Sequence, residues 1–130
     1  NIQRVVQQVI LDEHHGEIPV GQAEVVATSN DKWPHLVIAP TMRVPESVAR
    51  TTHAYLAFRA ALLAVQRFNA GAGAMKVRSM VCCGLGTGIG AMDFTRCAVQ
   101  MRMAFAQVNG PARIPSFRQI HALHAALVRS

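Results

Sequence analysis

The stretch Met80-Val81-Cys82-Cys83-Gly84-Leu85-Gly86-Thr87-Gly88-Ile89-Gly90 carries the clearest chemistry in this chain. A short apolar run ends in four glycines spaced by two, and a helical pattern starts near Asp93. Glycine backbone can turn through positive φ and bring N–H groups close to an anion. The N-terminus of a following helix adds roughly half a positive charge. The expected chemistry is the cradling of a phosphate-like group, with Gly84, Leu85, Gly86, Thr87, Gly88, Ile89 and Gly90 as the candidate binding residues. The alternative is a tight strand-to-helix connection in which the glycines serve close packing. The loop is not a Walker A motif, because no Lys followed by Ser or Thr stands in place. Gly86-Thr87-Gly88-Ile89-Gly90-Ala91 can be laid on the dinucleotide fingerprint G-x-G-x-x-A. The acid expected roughly 20 residues further on is absent, however, and no Asp or Glu follows Asp93 at all.

Other reactive residues give weaker patterns. Catalytic acid–base pairs are scarce: the seven acids, Asp12, Glu13, Glu17, Glu24, Asp31, Glu46 and Asp93, fall mostly in turns or on exposed faces. Asp93 reads as the cap of the helix after the loop. Cys82 or Cys83 could act as a nucleophile at a strand end, but the sequence places no base beside them, and a buried thiol is the commoner case. His121 and His124 stand three apart, two ligands without a third, so no metal site is expected. No cofactor is implied, and the catalytic residues stay unassigned.

The elements that must position the loop follow from periodicity. Ile2, Val5, Val6, Val9 and Ile10 define an amphipathic helix over 2–13, with Gly16 as its stop. Pro19-Val20-Gly21 is a turn, and Ala23, Val25 and Ala27 alternate as a strand. Ser29-Asn30-Asp31 is turn chemistry. His35-Leu36-Val37-Ile38-Ala39-Pro40 is a continuous apolar run, expected as a strand buried on both faces. Ser47 or Thr51 caps a long, heavily buried helix that runs to about Phe68. The segment 70–74 reads as a small flexible loop, and 77–83 as a third strand. The helix over 93–108 turns Phe94, Cys97, Ala98, Met101 and Phe105 inward. Gly110-Pro111 ends it, and Ser116 caps a last helix with Phe117, Ile120, Leu123, Ala126 and Leu127 on one face. Four helices and about three strands read as an α/β domain with a mixed or mostly parallel sheet, one edge of it open.

The whole chain bounds the function. Its 130 residues fit a single domain over 1–130. No apolar run approaches the roughly 20 residues of a membrane span. No signal peptide is visible, and the odd cysteine count with a vicinal pair is a poor disulfide framework, so a cytoplasmic protein with reduced thiols is expected. The net charge of +6 raises nucleic acid as a partner, but eleven of the thirteen basic residues are Arg, scattered singly among few aromatics. Nucleic-acid binding is therefore not favoured. After Asp93 the chain is purely basic, which reads either as solvated helix faces or as a positive field that draws an anion toward the loop.

The order of segments resembles the macro domain family. Pro19-Val20-Gly21-Gln22-Ala23, Leu36-Val37-Ile38-Ala39-Pro40, Tyr55-Leu56-Ala57-Phe58-Arg59-Ala60-Ala61-Leu62 and Met80 through Gly90 follow the family's P-x-G-x-A turn, its second strand, its long helix and its strand-to-glycine-loop unit. The resemblance covers about residues 16–108. It implies a three-layer α/β/α fold and binding of ADP-ribose or a related nucleoside diphosphate. Residues 84–90 would wrap the diphosphate and distal ribose, with Thr87 and Gly88 matching the family's T-G. Gly86 stands where the family usually has Ser, and Ile89 where an aromatic commonly precedes the last glycine. The family's first strands, its adenine-reading acid and its Asn- and Gly-rich first loop have no counterpart before residues 2–13. The expectation is therefore a fragment or pared-down relative, with ADP-ribosyl hydrolase activity only in a complete version. An open sheet edge implies a homo-oligomer. The competing reading is a structural or assembly protein on a scaffold that has lost its ligand site.

Overall fold

The computed structural model describes residues 1–73 and 75–129. Four helices and two strands follow one another as α1 (Ile2–His14), β1 (Glu24–Ala27), β2 (His35–Ile38), α2 (His53–Gly71), α3 (Phe94–Asn109) and α4 (Phe117–Arg129). The α/β class and the four helices agree with the sequence reading. The sheet is smaller than expected.

Helix α1 begins where the Asn1 side chain accepts the Arg4 N–H at 3.3 Å. It ends on His15, which takes the left-handed conformation at φ 54°, while the N–H of Gly16 closes on the Ile10 carbonyl at 3.0 Å. No residue of α1 is fully buried. Its apolar face only leans on β1, leaving a cavity of about 390 Å³ between Val6, Ile10, Ile18 and β2. Strands β1 and β2 pair antiparallel, with Val25 opposite Val37 and Val26 opposite Leu36. Asn30 builds the turn between them: its side chain accepts the N–H groups of Lys32 and Trp33 at 3.0 and 2.9 Å. The β2 run was expected to be buried on both faces, but Leu36 is exposed. Apolar continuity does not fix burial when a sheet has only two strands, because each remains an edge.

The third strand is not formed. Residues 75–84 run without a ladder to any other described segment. The Asn69 side chain fastens the start of this segment, accepting from Val77 N–H at 2.8 Å and donating to the Val77 carbonyl at 2.9 Å. A mixed or parallel three-stranded sheet is thus replaced, among the described residues, by one antiparallel pair. Ala70 and Gly71, expected in a loop, complete α2, and Ala74 of that expected loop lies outside the described residues.

The core lies between α2 and α3. Ala54, Ala57, Ala60 and Ala61 are buried on α2 and Ala104 on α3, so the helix axes approach over small side chains. The bonds Arg96 to Ala49, Gln100 to Tyr55 and Arg59 to Gln107 advance along both segments together, so the two helices run in the same sense. Gln100 is the one polar residue in the buried set, at 0% exposure. Its Oε1 accepts the Tyr55 N–H at 3.1 Å, and its Nε2 donates to the carbonyls of Thr51 at 2.8 Å and Leu127 at 3.1 Å. Thr52, the N-cap of α2, makes no side-chain cap bond, so Gln100 satisfies from another helix an amide that α2 leaves open. Thr51 Oγ1 accepts the neighbouring His53 N–H at 3.2 Å.

Helix α4 starts in a reciprocal capping box: Ser116 Oγ accepts the Gln119 N–H and Gln119 Oε1 accepts the Ser116 N–H. Only its C-terminal part docks. Leu127 is buried beside Tyr55 and Ala104, while Phe117 is 93% exposed. The inward face expected for α3 is also rotated: Phe94 and Phe105 are exposed, and Cys97, Gln100 and Ala104 are buried.

Candidate functional site

The loop between residues 84 and 92 is built almost wholly from backbone. The Thr87 N–H and Oγ1 both donate to the Gly84 carbonyl, at 3.3 and 2.7 Å. Ala91 N–H reaches the Gly88 carbonyl at 2.9 Å, and Met92 N–H reaches the Gly86 carbonyl at 2.9 Å. The Gly90 carbonyl accepts Val48 N–H at 2.7 Å, which ties the loop to the segment before α2. Beneath it, Val48, Ala54, Met92 and Cys97 form a buried cluster with Leu85 packed against them. Cys97 Sγ donates to the Leu85 carbonyl at 3.2 Å.

The four glycines do different work. Gly86 sits at φ +80°, and a Cβ there would stand 3.0 Å from Val48 Cγ2. A Cβ on Gly90 would stand 2.6 Å from both the Gly86 carbonyl oxygen and Val48 Cγ2, a clash with backbone that cannot move aside. A Cβ on Gly84 would meet Thr87 Oγ1 at 3.2 Å. Gly88 differs: its φ lies outside the positive range and nothing stands within 4 Å of the missing Cβ. Packing therefore accounts for Gly86 and Gly90, and the fold places no such demand on Gly88. The N–H groups of Gly86, Gly88, Ile89 and Gly90 make no hydrogen bond to any described residue.

Asp93 caps α3, as the sequence indicates: its Oδ2 accepts the N–H groups of Thr95 at 3.0 Å and Arg96 at 3.2 Å. The carboxylate thereby occupies the helix N-terminus itself and offsets its partial positive charge. Any anion at the loop would rely on the free N–H groups of the loop rather than on α3. Arg96 is committed as well, donating through NH1 to the Ala49 carbonyl at 2.7 Å.

Cys82 and Cys83 are exposed and Cys97 is buried. The Cys82 thiol is pushed up, first by the atoms that shield it from water and then by the nearby Cys83 and Cys97 thiols. Burial pushes the Cys97 thiol up too, the neighbouring Cys83 adds to this, and the bond to the Leu85 carbonyl partly offsets it. Neither is poised as a thiolate at neutral pH. Among the described residues no group of three or more His, Cys, Asp or Glu could hold a metal ion, and no helix is long and apolar enough to cross a membrane.

Sequence reasoning missed Phe94. Its helical phase suggested the core, yet it opens α3 beside the loop cap with 77% of its surface exposed. No signal in the sequence separates it from the buried positions of α3, since first-turn residues such as Ala54 and Tyr55 of α2 are buried. Gln100 was also missed, since a lone Gln on an apolar helix face carries no mark of the three bonds it makes.

Fold and loop together define an α/β domain in which a glycine-rich segment leads into a helix. The family model for the macro domain matches residues 2–101, and the chain belongs to the macro domain family. That family is, in general, one of ADP-ribose-type ligand binders. No curated protein and no solved structure matches the chain. The match ends within α3, so α4 and the segment before it lie beyond it.

Proposed function

We propose that this chain binds ADP-ribose or a related nucleoside diphosphate, with the diphosphate held by the backbone of Gly84, Leu85, Gly86, Thr87, Gly88, Ile89 and Gly90. The observation that carries the reading is Gly88. The fold asks for no glycine there, yet the position is bare, open and flanked by N–H groups without partners. A backbone free of side chains is what close approach by a phosphate requires. Phe94 supports the reading as an exposed ring beside the loop, since Ile89 supplies no aromatic. Titration of ADP-ribose into the chain tests it. Saturable binding lost in Gly88→Glu, with the fold intact, is the expected result. Absence of heat and of any thermal shift at millimolar ligand would contradict it.

A second reading, self-association, draws on the sheet. Neither strand has a second partner among the described residues, and residues 78–84 offer unladdered backbone on which Val81 is 81% exposed. Light scattering checks it: a concentration-dependent dimer is expected, and a monomer at every concentration removes it.

A further inference from the structure

The largest of the described cavities, about 790 Å³, lies away from the glycine loop, where α2, the far end of α3 and α4 meet. Its wall from Met103 onward lies beyond the stretch shared with the family. Residues such as Gln107 stand about 20 Å along the α3 axis from Asp93, at 1.5 Å per residue. Leu127 of α4 is buried against Tyr55 and Ala104 with Leu123 packed beside it, while Gln119 and Ile120 from the start of α4 and residues of the segment 110–116 line the cleft. Pro111 and Pro115 lie in that segment and fix their own φ, so it is a stiff strap rather than a loose one.

Apolar walls come from Leu56, Met103, Ile120 and Leu123. The charge on the cleft has one sign. Arg59 on α2 and Arg113 on the strap both line it, and no acidic residue does. Arg59 is held through Nε, which donates to Gln107 Oε1 at 2.9 Å. The outer nitrogens of that guanidinium, and all of Arg113, have no partner among the described residues. An apolar cavity of this size is in the range that takes a small organic ligand. Two guanidinium groups with no acidic residue beside them in the lining select an anionic head, and their planar fork can pair bidentately with a carboxylate.

We propose that this cleft is a second binding site, independent of the loop, for an amphipathic carboxylate of the fatty-acid type. The chain of the ligand lies along Leu56, Met103 and Leu123, and its carboxylate lies between Arg59 and Arg113.

Sodium dodecanoate, kept below its micellar concentration, is the probe, titrated calorimetrically into the full chain. Saturable one-to-one binding is expected, with at least a tenfold loss of affinity in the double variant Arg59→Gln, Arg113→Gln. Dodecyltrimethylammonium, with the same tail and the opposite charge, should not bind. Ile120→Glu, a change at a half-exposed position that leaves the circular dichroism spectrum intact, should abolish the response. No saturable binding, equal binding of the cationic amphiphile, or full affinity in the double Arg variant would each overturn the proposal. A dimer that dissociates on Ile120→Glu, with no binding of dodecanoate, would assign the cleft to a second copy of the chain and overturn it as well.

Discussion

Helix α3 joins two proposed binding regions that are built in opposite ways. At its start, the loop over 84–92 presents backbone, held in shape by its own hydrogen bonds and by Val48. At its far end, the cleft presents side chains, with apolar walls and two guanidiniums, one on α2 and one on the proline-containing segment 110–116. The loop depends on what is missing from its residues, so small additions damage it. The cleft depends on what its residues carry, so removals damage it. Between the two sits Gln100, whose three bonds fix α2 and α4 against α3 and so hold both ends in register.

Breaking that middle link should cost most. Gln100→Leu removes the bonds to the Tyr55 amide and to the Thr51 and Leu127 carbonyls, at about 1–1.5 kcal/mol for each bond lost. An overall loss of about 3–5 kcal/mol is expected from denaturant unfolding, and a loss below 1 kcal/mol would show that water reaches these groups. Next comes Gly90→Ala, which sets a Cβ against the Gly86 carbonyl. Overpacking of this kind costs about 1–3 kcal/mol, and an unchanged denaturation midpoint would show that the loop yields. Gly88→Ala, two residues away, should stay within about 0.5 kcal/mol of the parent, as open positions do.

Asp93 separates charge from capping. Asp93→Ala should lose about 1 kcal/mol of stability with the cap. Asp93→Asn keeps an acceptor and removes the negative charge. It should hold stability within a few tenths of a kcal/mol and tighten ADP-ribose binding by about threefold, the scale of a partly screened helix-end charge. Weaker binding in Asp93→Asn would mean that the carboxylate contacts the ligand.

Much of the fold is legible in the sequence because it is local. Apolar spacing gives the four helices, Asn30 marks the β1–β2 turn, and Asp93 and Ser116 announce the starts of α3 and α4. The third strand fails for a reason no local pattern carries: residues 77–83 have the composition of a strand, but a strand exists only through a ladder, and no described segment supplies one. The expected inward faces of α3 and α4 differ from the observed ones at Phe94, Phe105 and Phe117 because apolar spacing admits a stripe through these rings, whereas the packed stripe runs through Cys97, Gln100 and Ala104 on α3 and Leu127 on α4. The loop itself is legible as glycines. That Gly86 and Gly90 are bound by packing while Gly88 is free emerges only when Val48 is brought beneath it.

The central claim is that Gly88 is bare for a ligand and not for the fold. Calorimetric titration of ADP-ribose into the parent chain and into Gly88→Glu, alongside a thermal melt of each, tests it most directly. The account predicts saturable binding by the parent, none by the variant, and melting temperatures within about 2 °C of each other, the shift of a change below 0.5 kcal/mol. Equal affinity in the two chains would contradict it, and so would a variant that loses binding only because it no longer folds.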